Sequence, residues 1–239
     1  PAAAITGWLV ELVIIRQLYR RDHLDQVLAT FGLILFLNEL TTICFGRAPL
    51  FLSLPETLSI SVEILPGLLY PLYRLLIIGT GLLLAFFLYL LISHTRAGML
   101  LRAGTTHREM VEALGVNLTL LNTGLFVLGA LLAGFAGALA GPLISVEVGM
   151  GENVLILCFV CIVIGGLGSI RGALFGALLI GMVDTLGRAF LASGLRLILP
   201  LDFADSIGAA ISSMSVYLLM ALVLIFRPQG ILPVLGRVR

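Results

Sequence analysis

The chain has 239 residues, of which 60% are hydrophobic and only 11% are charged, and its mean hydropathy is +1.16. A soluble domain carries about twice that charged fraction, so the composition excludes a water-soluble globular protein and predicts a chain solvated by lipid. The formal net charge of +1 also argues against nucleic-acid binding, which needs a strongly basic surface.

Apolar segments follow one another along the whole chain. A spanning helix needs about 20 mostly apolar residues. Seven segments meet or approach this length, namely residues 1–15, 24–45, 70–93, 119–145, 153–168, 172–190 and 207–226. They predict an all-α polytopic transmembrane bundle that forms a single domain over residues 1–239. Because the chain starts at Pro1 and enters the first segment almost at once, we expect that segment to be cut short.

The arginines predict the orientation of the bundle. With residues 94–118 in the cytoplasm, alternation also places residues 16–23, 169–171 and 227–239 there. These segments hold ten of the fourteen arginines, which is a clear positive-inside bias. The opposite side contains residues 46–69, where Pro49, Pro55 and Pro66 indicate an irregular outer loop.

Small residues repeat every fourth position in two places. Small residues at this spacing let helix backbones approach closely in a membrane. We therefore interpret both stripes as packing faces of a tight helix bundle. The first stripe is Gly129, Ala133, Gly137 and Gly141, and the second is Gly168, Gly172 and Gly176.

Three acids fall within apolar segments, where an ionisable group is a functional candidate because its burial is costly. Glu11 and Asp184 lie towards helix ends, which favours simple exposure at the interface. The deeper pair Asn38 and Glu39 fits either an inter-subunit hydrogen bond or a place in a substrate pathway. Cys158 and Cys161 form a C-x-x-C pattern with no histidine nearby, which favours packing over a metal site.

The sequence around residues 165–169 is rich in glycine. Gly165, Gly166, Gly168 and Ser169 separate two short apolar segments. One interpretation is a broken or re-entrant helix that exposes backbone groups to a substrate. The other is a tight cytoplasmic turn.

The cytoplasmic segment contains the signals of a short capped helix. Thr106 followed by Glu109 is a capping box, and Gly115 stands where a left-handed C-terminal residue is needed. A helix of about two turns is unstable alone and must dock on something. Its apolar residues Met110, Val111 and Leu114 predict one narrow face, which fits either lipid or a groove in an ATPase partner.

Residues 102–117, with Glu112-Ala113-Leu114-Gly115 at their centre, resemble the cytoplasmic loop of ABC importer permeases. More specifically, they are similar to the branched-chain amino acid permease family. Three further stretches resemble the same family in order. These are Arg16-Gln17-Leu18-Tyr19-Arg20, Ile164-Gly165-Gly166-Leu167-Gly168-Ser169 and Phe226-Arg227-Pro228-Gln229-Gly230. The Gly-Gly-Leu-Gly-Ser and Ala-Leu-Gly-Val-Asn forms resemble the shorter of the two permease subunits, whose further N-terminal helices this chain lacks.

The resemblance implies a permease domain in the bacterial inner membrane that acts within a heteromeric importer. The implied partners are a second, homologous permease, two cytoplasmic ATPases and a periplasmic substrate-binding protein. ATP and magnesium would be bound by the ATPases, and this chain would bind no cofactor or metal. The residues implied to couple to the ATPases are Thr106, Arg108, Glu109, Met110, Val111, Glu112, Ala113, Leu114 and Gly115.

Other functions agree less well with the sequence. All fourteen basic residues are arginine, so the chain cannot contain a phosphate-binding loop with its lysine, and any ATP must be bound elsewhere. An intramembrane enzyme is disfavoured because all three histidines fall in predicted cytoplasmic segments. A channel or secondary carrier would have no need for a docking helix. Within the family, the substrate expected is a branched-chain amino acid, with urea, short amides or other amino acids as alternatives.

Overall fold

A computed structural model describes residues 1–19, 21–55, 58–65, 68–106, 108–166, 168–191 and 201–232. The chain forms two compact units, Pro1–Met150 and Gly151–Arg239. Each unit is described by itself below. The prediction of a single domain over the whole chain stays a prediction.

The first unit is built mainly of helices. It opens with α1 (Ala2–Val10), a π-helical turn (Glu11–Ile15) and α2 (Arg16–Leu18). The helices that follow are α3 (His23–Phe45), α4 (Leu72–His94), α5 (Arg96–Thr106), α6 (Arg108–Ala113) and α7 (Leu118–Ala140). All four predicted spanning segments of this unit therefore fall on helices.

The outer loop contains a hairpin that the sequence analysis missed. Strands β1 (Ser61–Leu65) and β2 (Leu68–Pro71) pair antiparallel and lead directly into α4. Leu50 and Val146 exchange two backbone hydrogen bonds of 2.9 Å, which tie the loop to the segment after α7. The prolines in this region indicated irregular structure, but the two strands pair in register from Ser61 opposite Pro71 to Leu65 opposite Leu68, with one irregularity between Glu63 and Leu65.

The closest packing in the first unit joins α1 to α7. A Cβ atom added at Gly7 would overlap Ala130, and one added at Gly134 would overlap Ala3. The hydroxyl of Tyr73 in α4 donates to the Leu139 carbonyl of α7 at 2.7 Å. Helix α7 is thus held by α1 on one face and by α4 near its C-terminal end.

The predicted packing stripe on α7 faces little of the described chain. No described atom lies within 4 Å of a Cβ added at Gly129 or Gly137, and Ala133 is exposed. A Cβ added at Gly141 would lie 3.0 Å from the Leu52 side chain of the outer loop. The helix carries small residues on more than one face, and α1 packs on the face of Ala130 and Gly134.

The second unit contains α8 (Met150–Gly165), α9 (Ile170–Leu186), a π-helical turn (Gly187–Leu191) and α10 (Leu201–Phe226). Its core is formed by aliphatic side chains from all three helices. These are Val160, Ile164, Ile180, Val216 and Val223. The Cys161 thiol donates to the Ala173 carbonyl at 3.1 Å, so it lies between α8 and α9.

Glycines bring α8 and α9 into backbone contact. A Cβ at Gly165 would overlap the Gly172 backbone, and one at Gly176 would lie 2.7 Å from the Cys161 carbonyl oxygen. Gly166 adopts a φ of +102° and Gly168 a φ of +86°, which reverses the chain between the two helices. The Ser169 hydroxyl then caps α9 by accepting from the Gly172 N–H at 3.0 Å.

The residues after α10 close over this turn. The Ile231 N–H donates to the Ile164 carbonyl at 2.9 Å, and the Leu232 N–H donates to the Gly165 carbonyl at 3.2 Å. Gly230 has a φ of +84°, and an added Cβ would overlap the Gly166 backbone. The stretches 164–169 and 226–230 therefore form one glycine-dependent junction.

In the part of the chain that the structure describes, four helical stretches are long and apolar enough to cross a membrane: Leu24–Phe45, Leu72–His94, Leu118–Ala140 and Arg171–Phe190. Met150–Gly165 and Met214–Phe226 are shorter apolar helices. These lengths and the exposed apolar side chains along them confirm the predicted all-α polytopic membrane fold.

The junction generates a prediction about stability. Gly230→Ala places a methyl group against the Gly166 backbone at a positive φ, so we expect a loss of about 2 kcal/mol or more in the free energy of unfolding. Thermal unfolding in detergent, followed by fluorescence, would measure it as a melting temperature lowered by several degrees. Gly181→Ala in α9 is the control, because no described atom lies within 4 Å of the added Cβ. Equal effects of the two substitutions would refute the junction.

Candidate functional site

The predicted cytoplasmic segment is described as α5 and α6, which end at Thr106 and begin at Arg108 on either side of residue 107. Helix α5 begins at a cap, where the Gly98 N–H donates to the Thr95 hydroxyl at 3.2 Å. His107 lies outside the described residues, as do the side chains of the predicted capping box, Thr106 and Glu109, and of Arg108.

The C-terminal end of α6 is fixed by a Schellman motif. The Gly115 N–H donates to the Glu112 carbonyl at 3.0 Å, and the Val116 N–H donates to the Val111 carbonyl at 3.3 Å. Gly115 has a φ of +82°, which a residue with a Cβ rarely adopts. The motif satisfies two carbonyls that the helix end would otherwise leave unpaired.

The apolar side chains of α6 do not share one face. Val111 is buried with 5% of its surface exposed, whereas Met110 and Leu114 are 70% and 81% exposed. Val111 therefore anchors α6 to its own unit, and the i, i+4 pair Met110 and Leu114 points away from it. Glu112, Ala113 and Gly115 are exposed beside that pair. This corrects the expectation of a single apolar face that includes Val111.

A short connection joins α6 to α7. The Asn117 side chain caps α7 by accepting from the Leu120 N–H at 3.1 Å. Leu118 is buried, and a Cβ at Gly104 of α5 would come within 2.9 Å of its side chain. Helices α5, α6 and the start of α7 thus form one packed corner.

The prediction that Glu11 is exposed at the membrane interface is wrong. Its side chain is 1% exposed, and its Oε1 lies 2.8 Å from the Thr123 hydroxyl of α7, which donates to it. Its Oε2 has no hydrogen-bond partner among the described residues. Sequence spacing carries no signal for this pair, because Glu11 and Thr123 lie 112 positions apart and meet only when α1 packs against α7.

A π-helical turn brings a second charged residue to the same place. The Arg16 N–H donates to the Glu11 carbonyl, five residues back, as a π-turn requires. The extra residue in the turn gives Arg16 the angular position that residue i+4 has in an α-helix. Glu11 and Arg16 therefore lie on one face.

Both residues line a cavity of about 180 Å³ between the end of α1 and the start of α7. Its polar lining residues are Glu11, Arg16, Asn117, Thr119 and Thr123. Trp8, Leu12 and Leu120 complete its wall. The buried carboxyl of Glu11, the guanidinium of Arg16 and the amide of Asn117 therefore line the cavity together with an apolar surface. The cavity lies next to the packed corner formed by α5, α6 and the start of α7.

The other predicted site residues lie elsewhere. Asn38 is half-buried and Glu39 is exposed on α3, whereas Asp184 forms an ion pair with Arg188 at 3.0 Å. Gly165 and Gly166 are buried in the α8–α9 junction, while Gly168 is exposed. The substrate-pathway role of Asn38, Glu39 and residues 165–169 stays a prediction.

Comparison with known proteins gives a match over nearly the whole chain. The family model for the permease component of branched-chain amino acid transport systems matches residues 2–226. The high-affinity branched-chain amino acid transport system permease protein BraD of Pseudomonas aeruginosa is 30% identical over 229 residues, which cover 95% of this chain and 69% of the relative. LivH of Escherichia coli, named as a permease protein of the same kind of system, is 27% identical over 243 residues, covering 96% and 70%. No solved structure matches the chain.

The Glu11–Thr123 contact generates a prediction. Thr123→Val removes the only described hydrogen bond to the buried Glu11 side chain, so we expect a loss of about 1–3 kcal/mol in stability. The melting temperature of the detergent-solubilised protein would report it. Thr80→Val is the matched control, because the Thr80 hydroxyl bonds only carbonyls of its own helix, those of Leu76 and Ile77. An equal loss in both variants would contradict the prediction.

Proposed function

Because the chain belongs to the family of permease components of branched-chain amino acid transport systems, we propose that it forms the translocation pathway of an ABC importer for branched-chain amino acids. It is a multi-pass protein of the inner membrane and a permease component. The observation that carries the proposal is the exposed pair Met110 and Leu114 on a locked cytoplasmic helix. We infer that this pair is the contact through which ATPase subunits drive transport.

The geometry of α6 suits a coupling helix. Exposed apolar residues at i and i+4 are the pattern with which a helix enters an apolar groove of a partner. Buried Val111 and the Schellman motif hold the helix rigidly to α5 and α7. A force applied at Met110 and Leu114 therefore moves α6 together with its neighbours instead of unwinding it.

The sequence supports the assignment of ATP binding to other subunits of the proposed importer. Without a lysine, the chain has no phosphate-binding loop of its own, so ATP and magnesium are held by two cytoplasmic ATPase subunits. A second, homologous permease completes the membrane part, and a periplasmic binding protein delivers the amino acid. Motion of the coupling helices switches the pathway between outward and inward access.

The experiment that tests the proposal is reconstitution. The complex, purified with its partner chains and placed in proteoliposomes with the binding protein, should take up L-leucine only when ATP is supplied. Mass spectrometry of the purified complex should identify a second permease and ATPase chains. ATP-independent uptake, or a complex without an ATPase, would refute the importer.

Substitutions on α6 test the docking surface. Leu114→Glu places a charge in the proposed groove, and we expect it to weaken ATPase association by about 2 kcal/mol or more, which is roughly a 30-fold loss of affinity. Co-purification of the ATPase would fall accordingly, while the melting temperature of the permease stays unchanged because the side chain is exposed. Glu112→Arg should also reduce co-purification.

Met99→Glu is the matched control for this substitution. Met99 is 58% exposed on α5, in the same predicted cytoplasmic segment, but it lies outside the proposed docking surface. We expect ATPase co-purification to survive Met99→Glu. A loss of the ATPase in both variants, or in neither, would contradict docking through Met110 and Leu114.

A further inference from the structure

The unpaired oxygen of Glu11 requires a hydrogen-bond donor. A carboxyl group that is 1% exposed and has one hydrogen bond is costly to keep charged unless a further donor or cation reaches it. Arg16 lines the same cavity, yet no ion pair joins it to Glu11 in the described structure. The cavity therefore presents a negative and a positive group that do not neutralise each other directly.

We propose that this cavity binds the zwitterionic head group of the transported amino acid, with Glu11 accepting from the ammonium group and Arg16 binding the carboxylate. This inference rests on the proposed function. An ammonium group supplies N–H donors to Oε2, and a guanidinium binds a carboxylate through paired N–H groups. A zwitterion satisfies both partners at once.

The same lining disfavours an inorganic cation. Glu11 is the only carboxylate among the cavity residues, and the guanidinium of Arg16 repels a cation there. Among the described residues, no three His, Cys, Asp or Glu side chains cluster in a way that could hold a metal ion. A free amino acid carries a carboxylate that can pair with the guanidinium of Arg16, and a metal ion does not.

The apolar wall and the volume define the rest of the ligand. Trp8, Leu12 and Leu120 provide the surface against which an aliphatic side chain can pack. About 180 Å³ is below the roughly 300–1,000 Å³ of pockets that hold drug-sized molecules. The site therefore has room for a single amino acid with an apolar side chain.

The position of the cavity gives the site a role in release. Asn117, which caps α7, also lines the cavity, and it directly follows Val116, the last residue of the Schellman motif of α6. A displacement of α6 therefore shifts one wall of the cavity relative to Glu11. The site would hold the amino acid at the cytoplasmic end of the pathway until the coupling helix moves.

Equilibrium binding to the intact complex tests the site. The complex in nanodiscs, without nucleotide and without the binding protein, is titrated with radiolabelled L-leucine. The competitors are unlabelled L-leucine, 4-methylpentanoate, which lacks the ammonium group, and isopentylamine, which lacks the carboxylate. We expect each analogue to bind about tenfold or more weakly than L-leucine.

Two variants make the assignment specific to each residue. Glu11→Gln should weaken L-leucine binding about tenfold or more and abolish its preference over 4-methylpentanoate. Arg16→Gln should abolish the preference over isopentylamine instead. The controls are Glu63→Gln on β1 and Arg74→Gln on α4, which remove like charges at positions that do not line the cavity and should bind L-leucine normally. The melting temperature of each variant separates lost binding from misfolding.

The outcomes separate this site from the proposed function. Normal L-leucine binding by folded Glu11→Gln would mean that Oε2 does not accept from the ammonium group, and isopentylamine binding as tightly as L-leucine would mean a cation site. Either result overturns the zwitterion site while ATP-driven L-leucine uptake by the wild-type complex still stands. Absence of both uptake and binding in the wild-type complex would overturn the importer and the site together.

Discussion

The close approach of α1 and α7 determines the arrangement of the first unit. Lipid tails are as apolar as leucine, so helices in a membrane gain little from burying apolar surface and associate where small residues allow backbone contact. Gly7 meets Ala130, and Gly134 meets Ala3, with no room for an additional Cβ. This contact carries Glu11 out of reach of solvent and against Thr123, and it forms the cavity where the helices diverge towards α6.

Helix packing in the second unit also depends on small residues, and there glycines allow direct contact between backbones. Gly165, Gly172 and Gly176 bring α8 and α9 together, and Gly230 brings the segment after α10 onto Gly166. Two of the stretches that resemble the permease family meet at this junction, where Gly230 packs against the Gly166 backbone. The N–H groups of the next two residues, Ile231 and Leu232, donate to the carbonyls of Ile164 and Gly165. The glycines at positions 165, 166 and 230 are therefore explained by close packing and, at Gly166 and Gly230, by positive φ values.

The sequence predicted what depends on near neighbours in the chain. Apolar length placed the helices, and the position of Gly115 predicted the end of α6, because a Schellman motif involves only six successive residues. Burial could not be predicted in the same way. From the sequence alone, Glu11 is predicted to be interfacial, and only its contact with α7 buries it. In the same way, Val111 is predicted to share a face with Met110 and Leu114, and only packing within the folded unit buries it. The packing face of α7 was missed for the same reason, since small residues occur around the helix and only a partner selects one side.

The two proposals meet at the start of α7. In the proposed importer, the ATPase acts on Met110 and Leu114, and the rigid end of α6 passes that motion to Asn117 within three residues. Thr123 lies five residues into α7 after Leu118, about 7.5 Å along the helix axis, so the contact with Glu11 is within two turns of the start of α7. Helix α1 also contacts α7 further along, at Ala130 and Gly134, where there is no room for an added Cβ. We therefore expect a small rotation of α6 to move Asn117 relative to Glu11 and Arg16 while the contacts at Ala130 and Gly134 persist. In the proposed importer, the corner that receives the work of ATP hydrolysis is thus also the corner that would release a bound amino acid.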